Sequence, residues 1–432
     1  MTAMDSDNFP FNHKRLYSRR LQRGAAAQGI ASGPSAASSS TWERDLLNAQ
    51  DIVFTNGRIA TGEGFVEGCD LVVRGGVISA LVEEGKGPKD GTQIDLAGAD
   101  LVPGFIDLQV NGGGGVIFND DPSVDALVTI SQAHTRCGTT GFLPTLISDS
   151  LDKVRSAIGA VEAAIAAGVP GILGIHLEGP FLNVARKGIH NGNTFRVLDE
   201  AAIALLTSLR TGKTLITLAP ETAPKGAIAA LVARGAIVFA GHSDATYEHM
   251  VTAQGEGLSG VTHLFNAMSQ IGPRAPGVVG AALTSGSLYA GLIADGAHVH
   301  PANMALAAAS LGPDRLILVS DAMGTMGAAS AHIDWGGHAI NARGDTCYTK
   351  DGALAGSNLH LARAVTLMSS LTPVTRSDAV RMASAAPAAA LGLAQYHGSF
   401  APGRRADLVA MTHAGAVTGV WVGGVLQSQS SR

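Results

Sequence analysis

Two histidines at the centre of the chain each accompany a short apolar segment. The segment 236–240 leads into His242, the segment 261–264 contains His263, and a helix-length stretch lies between the two segments. In parallel α/β proteins, functional side chains gather at the carboxyl ends of the strands. The spacing predicts two neighbouring strand ends with one imidazole each, which could bind one metal ion. The alternative is two unrelated polar residues at strand ends.

Two carboxylates end apolar segments in the same way, namely Glu178 and Asp321. Glu178, His242 and His263 would give a catalytic zinc three protein ligands and leave its fourth position for water. The set contains no thiolate, which suits hydrolysis better than redox chemistry. Because zinc lowers the pKa of bound water to about 7, a general base is expected beside that water. Asp321 is the candidate, and its alternative is a helix N-cap or a buried structural carboxylate.

Three other histidines are interpreted as supporting or surface residues. His176 lies two residues before Glu178 and therefore faces the same side of its strand. We predict a core or supporting position for His176 rather than a ligand position. His134 and His249 fall in helical stretches and are predicted to be surface residues.

Eight apolar segments alternate with helix-length stretches over most of the chain. Eight consecutive β/α units predict a closed (β/α)8 barrel of the TIM type, with the active site at the carboxyl ends of its strands. A doubly wound open sheet is the alternative, but the glycine-rich string NGGGG at 111–115 lacks the G-x-G-x-x-G frame. The segments are LVPGFIDLQV, TTGFLPTLI, GILGIHLEG, TLITLAP, AIVFAGH, VTHLFNA, YAGLIAD and RLILVSD.

The two ends of the chain carry short strand patterns that are split by Gly pairs and NG, which are hairpin signals. Because chain termini often lie close together, we predict one small β-sandwich from both ends, residues 49–100 and 396–432, around a barrel of residues 101–395. Residues 1–48 are basic and then of low complexity, which predicts a disordered tail. An insertion at 325–356 contains strand-like pieces.

Composition excludes several classes of function. The 432 residues carry a formal charge of −5 without a long basic run, which argues against nucleic acid or a membrane surface as a partner. Three widely spaced cysteines fit neither a disulfide framework nor a thiolate zinc site. No apolar run reaches the roughly 18 residues of a membrane span, and no apolar secretory region opens the chain. We predict a cytoplasmic protein.

Eight motifs occur in order along the chain: PGFIDLQVNG, GIHLEGPF, GHSDAT, THLFNAM, RAPG, ADGAHV, SDAMG and PGRRADLV. Together they resemble the N-acetylglucosamine-6-phosphate deacetylases of the amidohydrolase superfamily, over roughly residues 51–425. PGFID alone marks only the superfamily, whereas HLEGPF followed by GHSDA, THLFNAM and SDA is specific. The resemblance implies a barrel with a β-sandwich, a homodimer, and hydrolysis of the acetamide to glucosamine 6-phosphate and acetate.

The resemblance also implies roles for individual residues. Glu178, His242 and His263 would hold the metal, and Asp321 would be the acid/base residue. His190, in GIHNGN, would lie near the substrate and polarise the acetyl carbonyl. One carboxylate can act as base and then as acid because the two proton transfers are sequential.

Four further residues are implied to bind the substrate. Asn266 and Ala267 would contact the sugar phosphate, and His298 would contact the sugar. Arg274 would reach the phosphate in the neighbouring subunit of the homodimer, where its planar guanidinium can bind two oxygens at once.

Two departures from related sequences bear on this interpretation. Many amidohydrolases have H-x-H at the end of strand one and bind two metals, whereas this chain has Gln109 and Asn111 there. Neutral amides are poor zinc ligands beside imidazoles, so we predict a single metal. Related sequences often have Pro where this chain has Gly192, which predicts a looser loop around His190.

Several alternatives remain open at this point. Zn²⁺ is the favoured ion, but Fe²⁺, Mn²⁺ or Co²⁺ could occupy such a site. The substrate could instead be N-acetylgalactosamine 6-phosphate or another N-acyl compound. A barrel that has lost catalysis is the remote alternative.

Overall fold

A computed structural model describes residues 51–429 of the protein. The predicted tail, residues 1–48, lies outside the described residues. Strands fill both ends of the described chain and alternate with helices between them. The strands are β1 (Ile52–Thr55), β2 (Arg58–Thr61), β3 (Gly64–Val66), β4 (Cys69–Arg74), β5 (Val77–Glu83), β6 (Thr92–Asp95), β7 (Asp100–Pro103), β8 (Phe105–Val110), β9 (Gly112–Gly113), β10 (Val116–Ile117), β11 (Thr139–Ile147), β12 (Gly174–Glu178), β13 (Lys213–Leu218), β14 (Ile237–Ala240), β15 (Gly260–Val261), β16 (Tyr289–Ile293), β17 (Leu316–Val319), β18 (His332–Trp335), β19 (His338–Arg343), β20 (Thr346–Thr349), β21 (Leu354–Ser357), β22 (Leu408–Met411), β23 (Val417–Val422) and β24 (Val425–Gln429).

Most of the helices lie between barrel strands or directly after the inserted segment. The α-helices of the described chain are α1 (Val124–Thr135), α2 (Leu151–Ala166), α3 (Glu200–Leu206), α4 (Ala227–Ala233), α5 (Tyr247–Gly255), α6 (Gly277–Thr284), α7 (Pro301–Leu311), α8 (Leu361–Leu371), α9 (Arg376–Ala383) and α10 (Ala385–Ala390). Ser123, Ser150 and Thr375 cap α1, α2 and α9. The side-chain oxygen of each accepts a hydrogen bond from a backbone N–H in the first turn of its helix. No helix within residues 51–429 is long and apolar enough to cross a bilayer.

The central sheet is a barrel of eight parallel strands in the order β17-β16-β15-β14-β13-β12-β11-β8. Its first and last strands meet where the Asp321 amide donates to the Gln109 carbonyl at 3.0 Å, and where Val110 and Ala322 form a parallel bridge. All nine residues of β11 are buried, as expected for a parallel strand that is covered on both faces. The predicted (β/α)8 barrel is confirmed, and each of the eight segments contributes to its strand, although VTHLFNA contributes only Val261.

Both chain ends contribute to a pair of sheets with a core of their own. The six-stranded sheet, β24-β23-β22-β7-β2-β3, joins strands from the two ends, and the other sheet has the order β5-β4-β1-β6. Phe54, Leu101 and Trp421 belong to the core that the two sheets share. The rings of Phe54 and Trp421 meet edge to face at 4.8 Å. The predicted sandwich from both ends is confirmed, while the exact domain boundaries stay predictions.

A four-stranded antiparallel sheet, β18-β19-β20-β21, follows the last barrel strand. Its final strand is bonded to the mouth of the barrel. The Met323 amide donates to the Ser357 carbonyl, and the Ser357 amide donates to the Asp321 carbonyl, each at 2.9 Å. Trp335 and Leu354 of this inserted sheet thereby reach the cavity at the barrel mouth.

The prediction that His134 lies on the surface is wrong. His134 belongs to α1 and is fully buried, because that face of the helix packs against the barrel. Its Nε2 lies 2.9 Å from the Gly112 carbonyl, and its ring stacks on Phe142. Burial lowers the pKa of His134 to about 4, which keeps the ring neutral. His249 is exposed, as predicted, and completes the cap of α5.

Candidate active site

The carboxyl ends of the barrel strands surround a cavity of about 810 Å³, measured together with its open mouth. The strand ends, the loop at 188–190 and the inserted sheet form its wall. Most of the side chains singled out from the sequence lie on this wall, whereas Arg274 does not. Those on the wall are Glu178, His190, His242, His263, Asn266, Ala267, His298 and Asp321.

Glu178, His242 and His263 form one compact, buried cluster. Oε1 of Glu178 lies 3.1 Å from Nε2 of His242 and 3.0 Å from Nε2 of His263. The two Nε2 atoms are themselves 3.0 Å apart. Three atoms that can each bind a metal therefore converge on one point.

Hydrogen bonding determines the tautomer of His242. Its Nδ1 lies 2.9 Å from the carbonyl oxygen of Arg186, and a carbonyl can only accept, so Nδ1 carries the proton. In the neutral ring, the lone pair of Nε2 then faces a carboxylate oxygen of Glu178. Two buried lone pairs in contact require a proton or a cation between them. This donor set of two imidazoles and one carboxylate fits a divalent metal ion.

The contacts within the cluster favour an ionised Glu178 beside a protonated His263. Burial opposes ionisation of Glu178, but its hydrogen bonds with His242 and His263 outweigh burial and hold the pKa of Glu178 well below its usual value. Burial likewise opposes protonation of His263, but the contact with Glu178 prevails and raises the pKa of His263. Because a histidine must lose its proton to bind a metal, protons and metal ions compete for this cluster.

His190 lies beside the cluster and is a rival third ligand. Ligand atoms of Glu178, His190 and His242 also lie within 4.8 Å of one another. However, the Ser148 amide donates to Nδ1 of His190 at 3.4 Å, and the Ser148 hydroxyl lies 2.7 Å from the same atom. An accepting Nδ1 leaves the proton of a neutral ring on Nε2, which then donates and cannot bind a metal. Burial lowers the pKa of His190 well below its usual value, so the ring stays neutral.

Asp321 lies at the exit of the last barrel strand. The side-chain amide of Asn111 donates to its Oδ1 at 2.7 Å. Burial and the charge of Glu178 together raise the pKa of Asp321 to about 6. A carboxylate with such a pKa can both accept and return a proton near neutral pH.

Strained backbone conformations concentrate at these strand exits. Seven non-glycine residues of the described chain have positive φ, and five of them lie at the ends of barrel strands five, six and eight. Each such conformation costs about 1–3 kcal/mol and persists only where the surrounding structure enforces it. The five residues are His242, His263, Phe265, Ala267 and Asp321.

The end of the cavity near strands six and seven carries His298 in a fixed orientation. Nδ1 of His298 lies 2.6 Å from Oδ2 of Asp295, and the Thr346 hydroxyl donates to the same oxygen at 2.8 Å. Asn266 and Ala267 line the same cavity. Arg274 is exposed on the loop that follows.

Sequence reasoning missed several residues of the site, among them Ser148, which contacts His190, and Trp335 and Leu354 of the cavity wall. Ser148 directly follows the second barrel strand, so the rule that found the other residues could have found it. Trp335 and Leu354 gave no such signal, because their position depends on how the inserted sheet packs. His176 occupies the supporting core position that was predicted. It is buried between the hydroxyls of Thr145 and Thr217, at 3.1 and 2.8 Å.

Asp107, a carboxylate within β8, is fully buried next to this site. Its Oδ1 accepts from the amides of Gln109 and Ser320, at 3.2 and 3.1 Å. Its Oδ2 has no partner within the described residues. Burial raises the pKa of Asp107 to about 7.

Asp107→Asn is expected to change how the free energy of unfolding depends on pH. The folded-state pKa of about 7 lies above the unfolded value of about 3.9, so the wild type loses stability as rising pH ionises this group. The asparagine cannot ionise. The free energy of unfolding of the variant, relative to that of the wild type, should therefore rise by roughly 4 kcal/mol between pH 4 and pH 8. Urea denaturation at several pH values measures this difference, and an offset that stays constant with pH would contradict the expectation.

Residues 101–426 match the amidohydrolase family. The N-acetylgalactosamine-6-phosphate deacetylase of Shewanella sp. (strain ANA-3) is 38% identical over 383 residues, which cover 88% of this chain and 97% of that protein. The N-acetylglucosamine-6-phosphate deacetylase of Haemophilus influenzae is 32% identical over 357 residues, which cover 82% of this chain and 93% of that protein.

Solved structures agree with these relatives. The crystal structure of N-acetylglucosamine-6-phosphate deacetylase from Pasteurella multocida has a TM-score of 0.84 and 36% identity, and the match covers 88% of this chain and 100% of that one. A mutant of the Mycobacterium smegmatis enzyme in complex with N-acetyl-D-glucosamine 6-phosphate has a TM-score of 0.80 at 29% identity, with the same coverage. The resemblance that the motifs indicated is confirmed, and this chain belongs to the amidohydrolase family.

Proposed function

We propose that the protein hydrolyses the acetamide of N-acetyl-D-glucosamine 6-phosphate in the breakdown or recycling of amino sugars. The supporting observation is a single cavity that joins a Glu/His cluster able to hold a metal ion with the carboxylate of Asp321. Relatives that match most of this chain bear the names of deacetylases of such sugar phosphates. In the reaction, water adds to the acetyl carbonyl and the C–N bond breaks. The products are acetate and D-glucosamine 6-phosphate.

Glu178, His242 and His263 would hold one divalent ion, with Zn²⁺ favoured over Fe²⁺, Mn²⁺ and Co²⁺. When bound, such an ion supplies Lewis acidity to the acyl oxygen and lowers the pKa of water. The N–H of His190 argues for His263 as the third ligand. Gln109 and Asn111 stand where a second metal would need imidazoles, so we propose a single ion.

His190 would stabilise the negative charge that develops on the acetyl oxygen. Its Nδ1 accepts from Ser148, which leaves a neutral N–H on the other side of the ring to donate to that oxygen. A donor that is already oriented needs no rearrangement as the charge forms, and such groups are often the largest catalytic term. Gly192, two residues further on, lies in a 3-10 turn that Asn191 caps.

Asp321 would move the proton. As a carboxylate it accepts a proton from the attacking water, and as a carboxylic acid it later gives that proton to the leaving amine. A pKa of about 6 lets the group serve in both directions near neutral pH. The net result is cleavage of the amide, with one proton carried from water to nitrogen.

Asn266, Ala267 and His298 would bind the sugar phosphate, and Arg274 would reach the phosphate from the neighbouring subunit of a homodimer. The exposure of Arg274 outside its own cavity supports this arrangement. An exposed guanidinium is free to form a planar two-point contact with a phosphate. We further propose that the protein acts in the cytoplasm, where sugar phosphates are retained.

N-acetyl-D-galactosamine 6-phosphate is the second candidate substrate. Two relatives, from Shewanella at 38% identity and from Escherichia coli O157:H7 at 35%, are named as deacetylases of that sugar. The two sugars differ only in the configuration of the hydroxyl at C4. The choice between them depends on contacts made to that hydroxyl.

A substrate panel tests the proposed function. We expect free amine to be released from at least one of the two sugar 6-phosphates. We also expect kcat/KM to fall by about 10²-fold or more for the unphosphorylated sugars, because the groups that contact the phosphate lose their partner. A coupled assay for glucosamine 6-phosphate, or for acetate with the galactose epimer, gives the rates. A metal-loaded preparation that is inactive on every one of the four compounds would overturn the proposal and favour a catalytically silent barrel.

A further inference from the structure

Two amides at the end of the first barrel strand have no part in the reaction described above. Gln109 and Asn111 lie two residues apart and therefore face the same side of the strand. Both are buried and both line the cavity. Gln109 donates through Nε2 to Oε2 of Glu178 at 3.1 Å, and Asn111 donates through Nδ2 to Oδ1 of Asp321 at 2.7 Å. Each amide thus holds one of the two carboxylates of the site.

We propose that Gln109 and Asn111 are positioning residues for these two carboxylates. Gln109 orients Glu178 as a metal ligand, and Asn111 orients Asp321 for proton transfer. The Asn111 part rests on the proposed function, whereas the Gln109 part rests only on metal binding.

Gln109 separates the two oxygens of Glu178. Oε2 accepts from Gln109, and Oε1 is the atom within 3.1 Å of both imidazole Nε2 atoms. Without the amide, the carboxylate could rotate and present either oxygen. Because such supporting hydrogen bonds orient ligands and tune their basicity, their loss typically weakens metal binding by about 10- to 100-fold.

Asn111 can hold Asp321 in only one orientation. An ionised carboxylate only accepts, so the amide must present its N–H group to Asp321 and its own Oδ1 elsewhere. That Oδ1 is buried and has no partner within the described residues. The backbone is equally fixed, because the amides of Asn111 and Gly112 both donate to the Ala322 carbonyl at 3.0 Å. The donor is thereby tied to the residue that follows Asp321.

A purely structural role for Asn111 is the competing explanation, and the chain offers a matched control. Asn119 has the same 5% exposure as Asn111 and also lines the cavity. Its amide, however, bonds to the backbone of Ile147, as donor at 2.9 Å and as acceptor at 3.0 Å. Asn119 also donates to Oδ2 of Asp149 at 3.4 Å, but not to Glu178 or Asp321. It therefore matches Asn111 in burial but bonds neither carboxylate of the site.

The first experiment compares Asn111→Leu and Asn111→Asp with Asn119→Asp in the metal-loaded protein. Both Asn111 variants are expected to lower kcat by about 10- to 100-fold, the size of effect that follows from small misplacements of a catalytic group. KM and metal content should stay within about twofold. The acid limb of the pH–rate profile should move to higher pH, since the ionised carboxylate loses a donor. Asn119→Asp should lower Tm without moving that limb.

The second experiment measures metal affinity by competition with a chelator and needs no substrate. Gln109→Leu is expected to weaken binding of Zn²⁺ by about 10- to 100-fold, while Asn111→Leu should leave it unchanged. Two separate positioning roles require that one substitution changes the metal affinity and the other changes kcat.

Three results would overturn the inference. Wild-type kcat and an unmoved pH profile in Asn111→Leu would remove its role on Asp321. If activity falls in proportion to the loss of Tm, and does so equally in the Asn111 and Asn119 variants, the role of Asn111 is structural instead. Wild-type zinc affinity in Gln109→Leu would remove its role on Glu178. Should the wild type prove inactive on every sugar phosphate, the proposed function fails, and the chelator measurement still decides the part on Gln109.

Discussion

Asp321→Asn is expected to lower kcat by about 10³-fold while the metal stays bound. The variant keeps the shape of the side chain but can neither accept a proton from water nor return one to the amine. General acid–base catalysis by one group contributes about 10²–10⁴-fold, and here the same group would serve both steps. Steady-state rates on the sugar phosphate, together with metal analysis of the same preparation, measure the effect.

Asp120→Asn is the matched control for this substitution. Asp120 is an exposed carboxylate on the outer groove beside the cavity, so its loss should change kcat by less than about twofold. Activity of Asp321→Asn within tenfold of wild type would remove Asp321 from the proton transfers. Loss of the metal in that variant would point instead to a ligand role for Asp321.

His263→Ala is expected to empty the metal site, whereas His190→Ala is expected to leave it filled. His263 brings Nε2 to 3.0 Å from both Oε1 of Glu178 and Nε2 of His242. His190 presents a protonated nitrogen, because its Nδ1 accepts from Ser148. Removing a ligand abolishes activity together with the metal. Removing an oxyanion donor lowers kcat by about 10²–10³-fold and spares the metal.

Metal analysis after dialysis, combined with kcat at saturating zinc, separates these outcomes. His176→Ala provides the control, since that imidazole is buried near the cluster but is bonded to Thr145 and Thr217. It should keep the metal. A filled site in His263→Ala and an empty one in His190→Ala would reverse the assignment and select the grouping of Glu178, His190 and His242.

The barrel could be predicted from the sequence because its signal is local. Each strand is an apolar run such as TTGFLPTLI followed by a polar residue, and a helix-length stretch separates most runs from the next. The same rule placed Glu178, His242 and Asp321 on one cavity wall, since parallel strands direct their carboxyl ends to one side. Their donor types indicated the metal and base roles, whereas the roles of His190, His298 and Arg274 depended on the motifs.

The errors and omissions concern packing between distant segments. The sequence places His134 on the surface, because helical position alone does not tell which face of α1 meets the barrel. Trp335 and Leu354 were recognised at most as parts of strands, since their place at the cavity depends on how the inserted sheet docks. The hydrogen bond from Asn111 to Asp321 joins residues that are 210 positions apart in the chain. Such a contact exists only once the barrel has closed.

The β-sandwich has a consequence for how the protein is made. Strand β7 pairs with β22 through partners such as Leu101 and Ala410. This pairing cannot form until the last part of the chain has been synthesised. Until then its open edge can pair with other chains, which is a common origin of aggregation. A ribosome that stops shortly before β22 would release a nascent chain whose barrel segments are present but whose β7 is paired only with β2 and has one open edge. Yield in the cell should therefore depend on chaperones and on an intact carboxyl terminus more than the stability of the barrel alone would indicate.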